Sequence, residues 1–400
     1  MPGNDLTRLR IALTVFFAMD GFVFAGWVVR IPAIKEQTGA SASALGLALL
    51  CVSAGAVITM MFTGRLCRRY GSHPVTVVCG VLLSLSVALP PLTHSVLALG
   101  AVLLVFGSAY GGINVAFNSA AVDLVRALRR PVMPSFHAAF SLGGMTGAGL
   151  GSLIAGVLTP TQHLLCLTVV GLVVTLLAGR TLLGTPAPAT PDTPARTATA
   201  ATPENDAPRA APAPHPLAPR IRLLVVTFGL IALCTAYGEG AMADWSALHL
   251  EQDLGAAPGA AAIGYTCFAL AMTVGRLSGT KLLEVLGQTR TLVFGGTTAA
   301  LGMLLGALAP ALWAVLLGFA VTGLGLANLF PVAVERAGRL AGPEGVAVAS
   351  TFGYGGMLLG PPAIGFMADW ISLPAALTTV AALAATAAAI ALLTRRTAGH

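Results

Sequence analysis

The composition of this chain indicates a protein whose solvent is lipid. Of its 400 residues, 56% are hydrophobic and only 9% are charged, whereas a globular chain carries about 25% charged residues. A soluble protein of this length lacks the polar surface to cover such a core, which excludes most cytosolic enzymes, secreted disulfide scaffolds and disordered regulators. The formal net charge of +7 bears on partners only once the basic residues are placed.

Twelve apolar runs have the length needed to cross a bilayer, which is about 20 helical residues for a hydrocarbon core of about 30 Å. They are continuous rather than alternating, so they predict helices and not the strands of a barrel. The predicted spans are 11–34, 44–65, 74–93, 96–122, 134–158, 162–183, 221–248, 259–280, 290–309, 312–334, 346–369 and 372–394.

The basic residues orient these spans. With the N-terminus in the cytoplasm, twenty of the 22 Lys and Arg residues fall on the inner side, and only Arg30 and Lys35 fall outside. By the positive-inside rule, we expect a multi-pass protein of the inner membrane with both termini cytoplasmic. The same placement explains the basic net charge, so no nucleic-acid partner is expected.

Residues 184–220 interrupt the apolar pattern. Of these 37 residues, ten are Pro, eleven Ala and six Thr, a composition that cannot form a core and predicts a disordered cytoplasmic linker. The chain is thereby divided into a six-helix bundle over 1–183, the linker, and a second six-helix bundle over 221–400.

The two bundles share short sequence matches. Residues 27–46 and 245–264 both begin with Trp and end with Gly, and residues 140–145 (FSLGGM) match 352–357 (FGYGGM) at an offset of 212. Asp123 and Glu335 share that offset. Weak repeats between six-helix halves are typical of duplicated transporters whose binding site lies between the halves.

At residues 64–71 (GRLCRRYG), after the second span, the chain resembles the G-x-L-x-D-R-x-G signature of the major facilitator superfamily, and residues 275–281 (GRLSGTK) resemble its degenerate second copy. The resemblance implies twelve transmembrane helices in two pseudo-symmetric bundles that alternate access to a central site. It also implies gating roles for Gly64, Arg68, Arg69, Gly71, Gly275 and Arg276. Arg68 stands where the family usually has the Asp that holds one conformation. The sequence therefore does not identify the contact that holds this protein in that conformation.

Within that superfamily, residues 26–35 (GWVVRIPAIK) and 135–144 (SFHAAFSLGG) resemble the fucose-permease-like branch. That branch implies a sugar or small polar metabolite as substrate. We therefore expect a monomeric permease that moves a small molecule across the bilayer and is coupled to protons.

Asp20 is the principal candidate for the binding site. It lies ten residues before Arg30, which places it about 15 Å from that helix end and near the midplane. A carboxyl group at this depth costs about 3 kcal/mol on insertion scales, so we expect it to face a wet cleft as a proton-binding or substrate-binding group. The alternative is a structural hydrogen bond to a neighbouring helix.

Other polar residues inside the spans complete the candidate set. Asn114 and Asn118 lie one turn apart on one face of span 4 and either bind sugar hydroxyls or join helices. Glu239 is one position beyond the counterpart of Asp20. His137 is either a pH-sensitive group or a packing residue, and Asn328 and Tyr354 contribute polar atoms from the second half.

The glycines of spans 5 and 11 predict helices that slide during transport, with static close packing as the alternative. No Walker sequence, HExxH or GxSxG is present, so we expect no ATP motor, metal, cofactor or catalytic site. The alternatives to solute uptake are efflux of a drug or secondary metabolite and a non-transporting membrane sensor.

Overall fold

A computed structural model describes residues 3–40, 42–154, 157–188, 218–256 and 258–394 of the chain. Within these ranges the regular structure is helical, with a single 3-10 turn at Pro90–Leu92 and no strand. The α-helices are α1 (Gly3–Val28), α2 (Ile31–Thr38), α3 (Ala42–Tyr70), α4 (Ser72–Ser86), α5 (Val96–Leu128), α6 (Met133–Ile154), α7 (Pro160–Gly184), α8 (Pro219–Gln252), α9 (Pro258–Leu286), α10 (Gln288–Leu308), α11 (Leu312–Leu326), α12 (Leu329–Trp370) and α13 (Leu373–Thr394).

These helices follow the predicted spans in order. Spans 1 to 6 correspond to α1 and to α3 through α7, while spans 7, 8, 9 and 12 correspond to α8, α9, α10 and α13. Span 10 is formed by α11 and the first part of α12, and span 11 by the rest of α12. The helix α12 bends sharply between them, because Ala341 and Gly342 leave the helical conformation and Gly342 has a φ of 58°, which suits a residue without a side chain.

Within the described ranges, nine segments are long and apolar enough to cross a membrane. One of them, Leu312–Trp370, contains spans 10 and 11, while α6 and α9 do not meet the same criteria. The chain is therefore an all-helical, multi-pass membrane protein. The count of twelve spans stays a prediction, with which these bounds agree. Of the predicted linker, residues 189–217 lie outside the described ranges.

Helix pairing repeats between the halves. In the first half α1 packs on α6 and α3 on α5, and in the second half α8 packs on α12 and α9 on α11. Each contact brings two backbones together at glycines: a Cβ on Gly143 of α6 would meet the Ala18 carbonyl of α1, and one on Gly356 of α12 would meet the Leu233 carbonyl of α8. Small residues permit this approach, in which dispersion contacts replace a hydrophobic driving force.

Replacing Gly143 with alanine is expected to destabilise the protein by about 1 to 3 kcal/mol, because the new methyl group must push α1 away from α6. The matched control is Gly149→Ala on the same helix, where an added Cβ meets nothing within 4 Å, so no loss is expected. Thermal unfolding of the purified protein in detergent measures both. Equal stability of the two variants would show that the contact between α1 and α6 tolerates an added side chain.

The two halves are in contact at one end of the bundle, where Gly64 of α3 lies against Pro343 of α12 and Arg126 of α5 donates to the Gly338 carbonyl. The helix α12 contacts α3 and α5 of the first half, and α6 contacts α9 of the second. This is the end at which α3 and α5 finish in arginines, and we call it the arginine-rich end. At the opposite end Asp244 and Tyr265 are exposed.

Candidate functional site

Asp20 lies in α1 and is completely buried (0% exposed). Neither carboxyl oxygen has a hydrogen-bond partner among the described residues. Its neighbour Gly21 lies against the Phe140 carbonyl of α6, where a Cβ would not fit. In this conformation Asp20 therefore faces no water, in contrast to the wet cleft expected from the sequence.

A pair of tyrosines, one from each half, lies near Asp20. Tyr110 of α5 and Tyr354 of α12 meet edge to face with ring centroids 6.0 Å apart, and both phenol groups lie within electrostatic range of Asp20 and Glu239. Phe24 stacks on Tyr110 at 4.8 Å. Aromatic faces of this kind pack well against the apolar face of a small ring.

Glu239 of α8 forms an ion pair with Arg276 of α9, at 2.9 Å. The Arg276 side chain is 8% exposed and that of Glu239 is 26% exposed, so Glu239 is the more accessible of the two. Arg276 also donates to the Ser141 hydroxyl of α6 at 2.8 Å. One guanidinium group thus joins the two halves and neutralises the partly exposed acid. We call Glu239, Arg276 and Ser141 the central triad.

His137 lies on the same face of α6 as Ser141, whose hydroxyl donates to the His137 carbonyl. Its ring is buried between Phe17 of the first half and Phe330 of the second, with centroids at 5.4 and 5.7 Å. The Nε2 atom has no partner among the described residues. The sequence-predicted residues His137, Glu239 and Arg276 are therefore brought together where the halves meet.

The three asparagines, Asn114, Asn118 and Asn328, form hydrogen bonds within their own halves. The Asn118 side-chain amide donates to the Asn114 carbonyl at 2.8 Å, and both residues are buried in α5. Asn328 lies between α11 and α12 and donates to the Gly275 carbonyl at 3.0 Å. These bonds hold helices and turns in place, as polar residues often do in membrane bundles.

Arg68, at the end of α3, pairs across the halves with Glu344 at 2.5 Å. Glu344 follows the bend of α12 and lies in the first turn of the helix beyond it, where an acid interacts favourably with the helix dipole. Gly64, one turn before Arg68, lies against the backbone of Pro343 and Glu344. Gly71 ends α3 with a φ of 89°, and the neighbouring Arg69 lies over the Tyr70 ring.

A second ion pair at this end has the opposite polarity. Arg130, after α5, binds Glu284 in the last turn of α9 at 2.8 Å. Glu284 precedes Gly287 by three residues, as Arg68 precedes Gly71, and Gly287 also has a positive φ, of 75°. Arg68 and Glu284 therefore occupy equivalent places in the two halves, and each binds an opposite charge of the other half.

This equivalence corrects the register of the internal repeat. Residues 275–281 were predicted to be the second copy of the signature at 64–71, but α9 continues to Leu286 and Arg276 is buried inside it. The stretch that ends α9 and matches residues 64–71 is 280–287 (TKLLEVLG). The prediction was wrong because Gly-Arg-Leu occurs at both 64–66 and 275–277. The turn after the helix is instead defined by the glycine with positive φ, which is Gly71 in one half and Gly287 in the other.

Four residues of these contacts were missed by sequence reasoning: Ser141, Arg130, Glu284 and Glu344. For Glu284 a signal existed, since basic residue, Leu and terminal Gly recur at matching spacing in 65–71 and 281–287. For Ser141 and Glu344 nothing local distinguishes them, because their partners lie 135 and 276 residues away.

Similarity to known proteins agrees with this architecture. The family model of the Major Facilitator Superfamily matches residues 11–245 and 224–400. The chain belongs to the major facilitator superfamily. An uncharacterized MFS-type transporter of Yersinia pestis is 33% identical over 386 residues, covering 95% of this chain and 94% of that protein.

Two solved superfamily structures show the same fold. FucP, the fucose:proton symporter of Escherichia coli, was solved in the outward conformation and superposes with a TM-score of 0.74 at 16% identity, over 96% of this chain and 97% of its own. The human organic anion transporter MFSD10 gives a TM-score of 0.76 at 16% identity, over 98% and 100%. The superfamily assignment from the sequence is confirmed, and family and fold are those of transporters.

Proposed function

We propose that this superfamily member is a secondary active transporter that moves a small neutral polar solute, such as a sugar, together with protons by alternating access. The central triad carries the proposal, because Arg276 neutralises Glu239 and leaves the accessible site without net charge. Carboxylate and hydroxyl oxygens suit the hydroxyl groups of a sugar. The resemblance of the fold to a fucose:proton symporter supports the same substrate class.

The orientation of the chain in the membrane indicates to which side this conformation is open. The positive-inside rule places the arginine-rich end and both termini in the cytoplasm of an inner-membrane protein. The ion pairs Arg68–Glu344 and Arg130–Glu284 then close the cytoplasmic end, and Glu239 is reached from outside. We assign a gating role to these two pairs, which separate when the halves rock to the inward-facing state.

Asp20 is proposed to carry the proton. A buried carboxylate without a partner is costly, whereas a protonated carboxyl group is tolerated. In the closed environment of this conformation Asp20 holds its proton, and rocking of the halves opens it to water on the inner side. The tyrosine pair, which lies within electrostatic range of both acids, is proposed to connect this step with solute binding.

The solute can be identified by thermal shift. A ligand at 100 times its Kd stabilises the folded state by about 2.7 kcal/mol, so a screen of the purified protein against sugars, amino acids and antibiotics reveals the class. Stabilisation by a neutral sugar supports the proposal. Stabilisation by antibiotics or organic anions alone favours the efflux alternative. Counterflow of the ligand in proteoliposomes excludes a non-transporting sensor.

Replacing Asp20 with asparagine is expected to abolish pH-driven flux of that solute in everted vesicles while sparing counterflow, because the amide fills the same space without carrying a proton. Asp369→Asn is the matched control, since Asp369 is exposed at the end of α12 and takes no part in the proposed site. Unchanged pH-driven flux in Asp20→Asn would remove Asp20 from coupling.

A further inference from the structure

A cavity of about 500 Å³ lies at the arginine-rich end of the second half, away from the central triad. It is bordered by the junction of α9 and α10, the first part of α12 and the end of α13, and it opens to the surface. The lining residues that matter here are Thr289, Arg290, Phe294, Arg336 and Leu392.

Two arginines line this cavity, and no acidic residue of the described ranges does. The Arg336 guanidinium lies over the Phe228 ring, 5.8 Å from its centroid, and its Nε is buried without a hydrogen-bond partner among the described residues. The adjacent Glu335 forms no ion pair with Arg336, and one of its carboxylate oxygens binds both Gln288 and Arg339. The cavity therefore holds positive charge that is not balanced by its own lining.

The backbone adds to this positive character. The helix α10 begins at the cavity, and its N-cap Gly287 offers no side-chain cap to the first-turn N–H groups. Such groups favour an anion. Together with Arg290 and Arg336 they present donors to one small volume.

The rim of the cavity is apolar and faces outward. Phe294 is 58% exposed and Leu392 is 52% exposed, and both lie on helices long enough to cross the membrane. A soluble anion would leave this apolar rim uncovered, whereas the acyl chains of a phospholipid would pack against it. Basic pockets between transmembrane helices on the cytoplasmic side are typical binding sites for anionic lipid headgroups.

We propose that this cavity binds the headgroup of an anionic phospholipid, with its phosphate held by Arg290 and Arg336 and its acyl chains on Phe294 and Leu392. The phosphate of the bound lipid offsets part of the positive charge of the two arginines, and the lipid fills the space between α10, α12 and α13. This site is independent of the proposed transport function.

Native mass spectrometry of the delipidated full-length protein, titrated with dioleoyl phosphatidylglycerol, tests the assignment. A basic side chain near anionic lipid contributes about fivefold in affinity, equivalent to about 1 kcal/mol. The variant R290Q/R336Q is therefore expected to bind phosphatidylglycerol about 25-fold more weakly, with binding of phosphatidylcholine unchanged. The matched control R8Q/R180Q removes two exposed arginines from the same end and is expected to bind normally.

A second variant keeps both arginines. Thr289→Glu places a carboxylate at the cavity and in the first turn of α10, where an acid supports the helix, so folding is maintained while lipid binding is lost. Normal phosphatidylglycerol binding in both R290Q/R336Q and Thr289→Glu would overturn the proposal. Displacement of the lipid by inorganic phosphate at equal concentration would overturn it also, because the site would then recognise a soluble anion.

Discussion

Replacing Arg276 with glutamine is expected to lower the free energy of unfolding by about 3 kcal/mol and the Tm by about 5 °C. The substitution leaves Glu239 without its cation inside the bundle and removes the donor to Ser141, so solute flux is lost as well. Thermal unfolding in detergent and counterflow in proteoliposomes measure the two effects.

The double variant E239Q/R276Q separates stability from transport. Two amides of similar shape leave no unpaired charge, so most of the lost stability is expected to return while flux stays absent. Ser141→Ala, which removes one hydrogen bond, is expected to cost only about 1 kcal/mol. If E239Q/R276Q were as unstable as Arg276→Gln, the ion pair would not explain the position of Arg276.

Replacing Arg68 with glutamate is expected to shift the equilibrium toward the conformation open at the arginine-rich end, by about tenfold. The new carboxylate faces Glu344, and exchanging an attraction of about 1 kcal/mol or less for a comparable repulsion amounts to about 1.4 kcal/mol. Spin labels at positions 97 and 313, exposed at the starts of α5 and α11, report the distance across the opposite end, which shortens.

Two further variants control this result. Arg69→Glu makes the same change of charge at the next residue, which lies over Tyr70, and is expected to leave the distances as they were. The exchange R68E/E344R restores an ion pair of reversed polarity and is expected to return the original distribution. Failure of the exchange, with Arg69→Glu as effective as Arg68→Glu, would indicate a general effect of charge and not a latch.

The ion pair between Arg68 and Glu344 accounts for the departure from the family signature at Arg68. An Asp was expected there by family resemblance, and its absence left the closing contact undefined. In the structure the acid is supplied by the other half, at Glu344, while the equivalent position of the second half retains an acid, Glu284, that binds Arg130. Ion pairs between the halves are thus present at this end with the charges exchanged between positions.

The membrane fold and its two halves were determined by the sequence, because a lipid solvent requires long apolar helices whose backbone bonds close within each segment. The same constraint identified Asp20 and Glu239 as candidates, since acidic residues inside apolar runs are rare, whereas Arg276 was proposed only through the family signature. Only the tertiary structure decided that Asp20 is sealed while Glu239 is accessible, and that Arg276 reaches Ser141. Helical periodicity fixes neighbours three or four residues apart, whereas these contacts depend on how two bundles lie against each other.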